Sequence, residues 1–380
     1  MTAPRMALSV IMPLSSDDAR IAAALDALAG SDLPRAAWEL IVVATDQPPA
    51  SVDAAAARAN VIVRLDPAHA SGASYAYNRG AEVARAPVLV FLDGDVVVRP
   101  DTLRRIADAF ADDGLAALVA SVDPPPRSAG LAARYRTLIQ EWVYQNCAGE
   151  SEFFSSSASA VRTSTFFSAG ELDEWQRNDA SAAALGLRLR ALGRRTELRS
   201  DIHVRYQGEL HWPDAAPPLP ILEPPPPWLE TEASPHGETA TSRYRARETA
   251  LSRAVWLATA CLICAAMYGS RVLAFAAAAL GAAVVLVDAP MGAYLARLGG
   301  VGLAIVAIPM RLASLLVGGG RRVARTARAR LLGEPRPAAG LEALTEVDVP
   351  GWPPTPARSH EFVPAIVTPS AATRDDAGHD

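Results

Sequence analysis

The chain of 380 residues contains no lysine: all 36 of its basic side chains are arginine, against 41 acidic ones, for a formal net charge of −5. Arginine without lysine, together with abundant alanine, is the composition of a G+C-rich bacterial genome and is read as background. A net negative chain with no nucleic-acid motif lacks the basic face that phosphate neutralisation requires, which excludes a general nucleic-acid binder. Cysteine is scarce. Cys147, Cys261 and Cys264 cannot form a disulfide framework, and the last two lie inside an apolar run, which argues against a metal site there. No signal peptide is evident either: one arginine precedes a short apolar run that turns at once into Ser15-Ser16-Asp17-Asp18, so the N-terminal segment reads as a first strand.

What is present is alternation. From Ala7 to about Ala120, strand-like and helix-like segments take turns: LSVIMPL, ARIAAALDALAG, WELIVVAT, VIVRL, SYAYNRGAEVARA, VLVFLDGD. This order predicts an α/β fold with a mostly parallel sheet flanked by helices. Further helices are predicted over 101–110, with Asp101 as the cap, over 130–142 and over 181–192, with strands at 115–122 and in DIHVRYQG. The predicted organisation is a globular α/β domain over 1–211 and a proline-dense linker over 212–253. A membrane hairpin with a basic amphipathic segment follows over 254–332, and then a disordered tail over 333–380.

Ala254–Ser270 and Val272–Val287 are each near the lower length limit for a spanning helix. Two spans leave both ends of the hairpin on the side that carries Arg243, Arg245, Arg247, Arg253 and the arginines of 321–330, which the positive-inside rule places in the cytoplasm. The patch from Val301 is then an interfacial amphipathic segment. The expected location is the inner (cytoplasmic) membrane, multi-pass, with the domain and the tail in the cytoplasm; a soluble alanine-rich hairpin is the alternative.

The most informative stretch is APVLVFLDGDVVVRPDTL, residues 86–103. A continuous Val/Leu/Phe run reads as a strand buried on both faces, and ligands of open α/β sheets gather beyond the carboxyl ends of such strands. This strand ends in Asp93-Gly94-Asp95, two hard oxygen donors suited to Mg²⁺ or Mn²⁺ that holds a diphosphate. An ordinary strand-to-turn exit is the other reading.

With that motif, the αβ run before it and the apolar hairpin after it, the chain resembles the inverting GT-A glycosyltransferases of family 2 over roughly residues 7–211. LSVIMPL resembles the family's first strand, with Pro13 beside the nucleotide base. GASYAYNRGAEVARAPVLVFLDGD carries Gly72, Asn78 and Gly80 before the paired aspartates. SASAVRTSTFFSAGELDE resembles the acceptor-side segment, with Arg162. LGLRLRALGRR resembles the helix after the catalytic carboxylates. The resemblance implies a nucleotide-sugar donor held by Pro13, Gly72, Asn78, Asp93 and Asp95, with Mg²⁺ or Mn²⁺ on Asp95 and Asp93. It also implies a lipid-linked or glycan acceptor near the membrane.

The chain departs from the family's pattern at three places. The Glu-Asp pair that supplies the general base falls on Ser181 and Ala182, and the nearest acid is Asp179, a candidate base or a helix cap with Asn178. The aspartate that contacts the base falls on Ala44, with Asp46 as its possible substitute. A histidine near the end of the domain is replaced by Tyr206, assigned to the acceptor side, with His203 and His211 around it. Three readings follow: an active membrane-attached transferase, a catalytically impaired member that binds a glycan, nucleotide sugar or partner, and a nucleotidyltransferase-like α/β enzyme. The third is disfavoured by the absence of a glycine-rich, basic phosphate loop after the first strand.

Overall fold

In the computed structural model the described residues are 6–14, 18–44, 52, 55–65, 72–124, 130–174, 178–207, 221, 238–332 and 366–369. Four strands run parallel in the order β3 (Val61–Arg64), β2 (Trp38–Ala44), β1 (Leu8–Pro13), β4 (Val88–Leu92). Beyond β4 the sheet continues through β8 (Ala158–Arg162), β6 (Leu115–Val122), β9 (Arg195–Tyr206) and β5 (Val96–Val98), and β7 (Gly149–Glu150) pairs with β9. β8 is antiparallel to both neighbours, so β4 and β6 point the same way.

Both faces of the sheet are covered at β4 and β6, which is why these strands are apolar without alternation. Ile11, Ile41, Leu89 and Phe91 share one core with α2 (Gly72–Glu82), α4 (Leu131–Asn146) and α6 (Asn178–Ala191). Val10, Val42, Val88 and Val90 share the other with α1 (Asp18–Ala29) and α3 (Thr102–Ala109). The short helix α5 (Thr163–Ser168) follows β8. Gly80 lets α2 lie directly on β1 and β2: a Cβ there would run into Ile11 and sit 3.1 Å from Val43. Gly186 does the same for α6, where a Cβ would sit 2.8 Å from the Phe154 nitrogen.

Asp101 does not cap α3. Its backbone is already helical, no side-chain cap bond forms, and its carboxylate accepts instead from Arg105 Nε at 2.5 Å.

The C-terminal helices are α7 (Ala240–Tyr268), α8 (Arg271–Val287), α9 (Ala289–Gly299) and α10 (Val301–Leu332). The stretch expected to be linker as far as Arg253 becomes helix at Ala240, where Thr239 caps it by accepting from the Ser242 N–H; the rest of that linker, apart from Ile221, Glu238 and Thr239, lies outside the described residues. α7 and α8 form a hairpin that turns at Gly269 and Ser270. α8 and α9 bend by 55° at Asp288. By length and composition α7 and Val301–Ala324 are long enough and apolar enough to cross a membrane, or three segments are if the bent pair counts as one. Large apolar side chains stand exposed along this part, among them Met267, Val272, Phe275 and Leu286, at 69–76%.

The helices are anchored on the domain. Met291, Leu295, Leu303 and Met310 join the core that contains Tyr135 and Leu138 of α4. Trp142 of α4 meets Tyr294 at 5.1 Å, and Arg134 donates to the Gly299 carbonyl at 2.7 Å. Ile366–Pro369, in the segment expected to be disordered, pairs antiparallel with β3 as β10; its Ile-Val-Thr composition suits an open sheet edge.

Candidate functional site

The carboxyl ends of β1, β4 and β6 open on one side of the sheet. Asp93 follows Leu92, the last residue of β4, and its backbone is held at both ends: its N–H donates to the Ser157 carbonyl at 3.1 Å, and its carbonyl accepts from Val96 at 3.0 Å. Its side chain accepts from the Tyr77 hydroxyl at 2.6 Å. Tyr77 projects from α2 with no exposed surface and sits edge-on to Phe91, ring centroids 5.1 Å apart. Burial first, and then the neighbouring Asp93 carboxylate, push the Tyr77 hydroxyl well above its ordinary pKa, so it remains a donor.

Asp95 is partly buried, and its carbonyl accepts from the Gln207 N–H at 3.0 Å. Burial holds its carboxyl above the usual carboxylate range, while a backbone hydrogen bond and the charge of Arg20 pull the other way. Gln207 also donates from Nε2 to the Arg20 carbonyl at 3.0 Å, tying α1 to this edge of the mouth.

Tyr206 closes β9 opposite Val96, one residue past Asp95. Burial raises its hydroxyl pKa well above the ordinary value, with Tyr144 and Asp93 adding to the effect, and a hydrogen bond to Ser157 lowering it. Pro13 lies two residues beyond the Ile11–Phe91 pair, as Asp93 does on its own strand. Gly72 opens α2, five residues before Tyr77, with φ of +78°. Pro13, Asp93, Asp95 and Tyr206 therefore meet at one mouth, with the start of α2 on the same side.

Two predicted site residues have other work. Arg162 pairs with Val88, at the amino end of β4, whereas Ala158 pairs with Leu92 beside the mouth. Four residues of strand put it roughly 13 Å from that end. There its guanidinium donates to the carbonyls of Leu115 (2.8 Å), Phe110 (3.1 Å) and Asp112 (2.9 Å), fastening the α3–β6 turn. Arg162 thus lies at the end of the strand away from the mouth. Asn78 is 1% exposed; its amide donates to the Leu172 carbonyl (2.8 Å) and Glu174 Oε1 (2.9 Å), and its Oδ1 accepts from the Leu172 N–H at 3.1 Å. It brackets the loop before α6, with both of its amide protons used there.

Ser181 and Ala182, where the resemblance puts the catalytic pair, are buried at 0% and 1% exposure. Asp179 lies in the first turn of α6, but its side chain falls outside the described residues, as do Asp46 and His211. His203 lies three residues before Tyr206 on the same strand, hence on the opposite face. Sequence reasoning missed Tyr77, Ser157, Arg20 and Gln207.

Among the described residues no three His, Cys, Asp or Glu side chains gather into a metal-binding group. The donor set is two carboxylates, both oxygen. It fits a hard cation that takes its remaining ligands from a diphosphate and water, the usual condition of Mg²⁺.

Among solved structures the chain is similar to S. aureus TarS residues 1–349, at 17% identity over 53% of this chain and 60% of that one, with a TM-score of 0.43. It is also similar to the mannosyltransferase PcManGT from Pyrobaculum calidifontis, solved with GDP-Man and Mn²⁺, at 18% identity over 87% and 88%, with a TM-score of 0.45. The chain thus spans about 60% of the length of the TarS fragment. No curated protein matches it. Residues 9–166 match the family described as glycosyl transferase family 2.

Proposed function

We propose that the protein is a membrane-attached, metal-dependent glycosyltransferase that moves a sugar, with inversion, from a nucleotide-sugar donor to a lipid-linked or glycan acceptor. The observation that carries this reading is the placement of Asp93 and Asp95 at the carboxyl end of β4, in a mouth shared with Pro13 and Tyr206. Asp95, helped by Asp93, would hold Mg²⁺ or Mn²⁺, which supplies charge to stabilise the leaving diphosphate. Pro13 and the start of α2 at Gly72 flank the donor. Tyr206, beside Asp95, offers a hydroxyl as hydrogen-bond donor to a phosphate or to the acceptor. Asp179 is the carboxylate proposed to take the proton from the attacking hydroxyl, one helical turn from the buried positions 181 and 182. Asp46 keeps its proposed role beside the base.

The test is metal-dependent hydrolysis or transfer with a panel of nucleotide sugars. Asp179→Asn is expected to lower kcat about 10²–10⁴-fold with KM for the donor little changed, the loss typical of a general base. Turnover equal to wild type in that variant would remove Asp179 from the mechanism. Donor binding without turnover throughout would favour an impaired, binding-only member, the reading that buried Ser181 and Ala182 support.

The membrane part of the proposal places the α7–α8 hairpin in the bilayer with α9 and α10 at its surface. α10 meets α7 through hydrogen bonds: Ser252 donates to the Leu315 carbonyl at 2.8 Å, Trp256 to the Leu316 carbonyl at 3.1 Å, and Arg322 to Thr249. A reporter fused after Gly333 is expected on the cytoplasmic side. A periplasmic signal would mean that α10 spans.

A further inference from the structure

A cleft of about 160 Å³ lies at the other end of the sheet, between β7 and the turn that joins α6 to β9, with Arg190, Arg194, Arg195, Thr196 and Glu150 in its wall. Arg195 pairs with Leu115 at the amino ends of β9 and β6, whereas Tyr206 closes β9 at the mouth, roughly 30 Å of strand away. The cleft is no part of the donor site. Its wall sets three guanidinium groups against one carboxylate, and like charges around a cavity attract an anion wherever acids do not answer them. Acids answer two of the three: Arg190 stands 4.0 Å from Glu150, while Arg195 bonds Asp112 and stands 3.6 Å from Glu197. No acid pairs with Arg194 among the described residues; it donates its backbone N–H to the Leu189 carbonyl at 2.8 Å.

Thr196 gives a second, independent sign. It is 2% exposed, and its hydroxyl has no hydrogen-bond partner. Strand alternation puts its side chain on the face of Leu198, toward the core shared with α6 and hence toward the cleft below the end of that helix. The Nε of Arg195 is also buried without a hydrogen bond. Folded chains keep few such groups, because each is costly. Size narrows the ligand. A cavity of roughly 150 Å³ takes a six-atom ring, and pockets for drug-sized ligands begin at about 300 Å³, so a tetrahedral oxyanion fits where a nucleotide sugar does not. Place narrows it again: Ser151, also in the wall, bonds Thr241 of α7 at 2.8 Å, about 20 Å of helix before the apolar run that starts at Ala254, beyond the reach of a bilayer headgroup. We propose that the cleft binds a soluble phosphate-type anion, held by the guanidinium of Arg194 and the hydroxyl of Thr196 in the positive field of Arg190 and Arg195.

The test titrates inorganic phosphate into the full chain in detergent by calorimetry, with chloride at equal ionic strength as the control and thermal unfolding alongside. EDTA is present, so no cation can bridge phosphate to Asp93 and Asp95. One saturable phosphate site is expected, with none for chloride. Arg194→Gln, at an exposed position, is expected to fold as wild type and to weaken phosphate binding about 10-fold or more, the loss of a charge-assisted contact. Arg194→Lys should recover part of it. Thr196→Val is expected to weaken phosphate binding roughly 5-fold while its unfolding midpoint without phosphate stays at or above that of wild type, because a buried hydroxyl without a partner is removed. No saturable binding by wild type at about 10 mM phosphate overturns the proposal. So does equal affinity in wild type and Arg194→Gln, or a Thr196→Val variant whose midpoint moves while its phosphate affinity does not. Should Arg194→Gln instead remove binding of phosphatidylglycerol added to the micelles, with inorganic phosphate inert throughout, the ligand is a headgroup and the soluble-anion assignment falls.

Discussion

Asp95→Ala is expected to abolish metal-dependent turnover, by roughly 10³-fold or more, because one preorganised electrostatic contact to the developing charge is worth about 10²–10³ and this variant loses the cation's main ligand as well. The pH behaviour carries a sign of its own. Burial holds the Asp95 carboxyl above the usual carboxylate range in the folded chain. On acidification the site therefore loses its charge, and with it the metal, at a pH higher than an ordinary aspartate would allow. The acid limb of Mn²⁺ binding should sit above the normal aspartate range. For stability, a raised folded pKa means a contribution that is present below the unfolded pKa and lost as pH rises through the folded one. At neutral pH Asp95 thus weakens the metal-free fold, and Asp95→Asn is expected to raise the unfolding midpoint of the metal-free protein while losing turnover. A variant that keeps wild-type turnover with and without added Mn²⁺ would remove Asp95 from the chemistry. The opposition of the two effects is what a binding group tuned for a cation should show.

The sheet and its mouth were legible because both depend on local signals. Strands buried on two faces must be apolar throughout, so VLVFL reads as β4 without any partner, and a parallel strand's carboxyl end is fixed by chain direction alone. Asp93 and Asp95 followed from that. Arg162 was misplaced because the motif order does not say which way β8 runs: antiparallel pairing with β4 carries the end of SASAVR away from the mouth. The bracing of Asn78 was not legible because its partner, Leu172, lies 94 residues away. Tyr77 was invisible for the same reason, its aromatic ring being explained by core packing until the helix is docked on β4. The C-terminal hairpin was legible from apolar length. The docking of α9 on α4 was not, since it arises from Trp142, Tyr294 and the Arg134–Gly299 bond, none of which leaves a pattern in sequence.

The second large effect is expected far from the mouth. Arg311, in the apolar run of α10, is 8% exposed and bonds Asp288 at 2.8 Å through Nε and Glu248 through Nη2, while Arg247 reaches the second oxygen of Asp288 at 2.8 Å. The four charges join α7, the α8–α9 bend and α10. Arg311→Met keeps the bulk of the side chain but leaves Glu248 and one oxygen of Asp288 buried without their main partner, which costs about 3–5 kcal/mol, since stranding one member of a buried pair is worse than removing the whole pair. The unfolding midpoint in detergent should fall by on the order of 10 °C. Arg311→Lys is expected to recover only part of this, because a point charge cannot bridge two carboxylates as a planar guanidinium does. Arg311→Met combined with Glu248→Gln and Asp288→Asn should be more stable than Arg311→Met alone, as the stranded charges are gone. Were the single and triple variants equally destabilised, the loss would come from packing and not from charge. Asp288 immediately precedes α9, and α9 is the helix that grips α4, so the same substitution should also loosen the α/β domain from its C-terminal helices. Faster proteolysis between α6 and α7 in Arg311→Met, with the α/β domain itself protected as in wild type, is the pattern that separates this loss of docking from general unfolding.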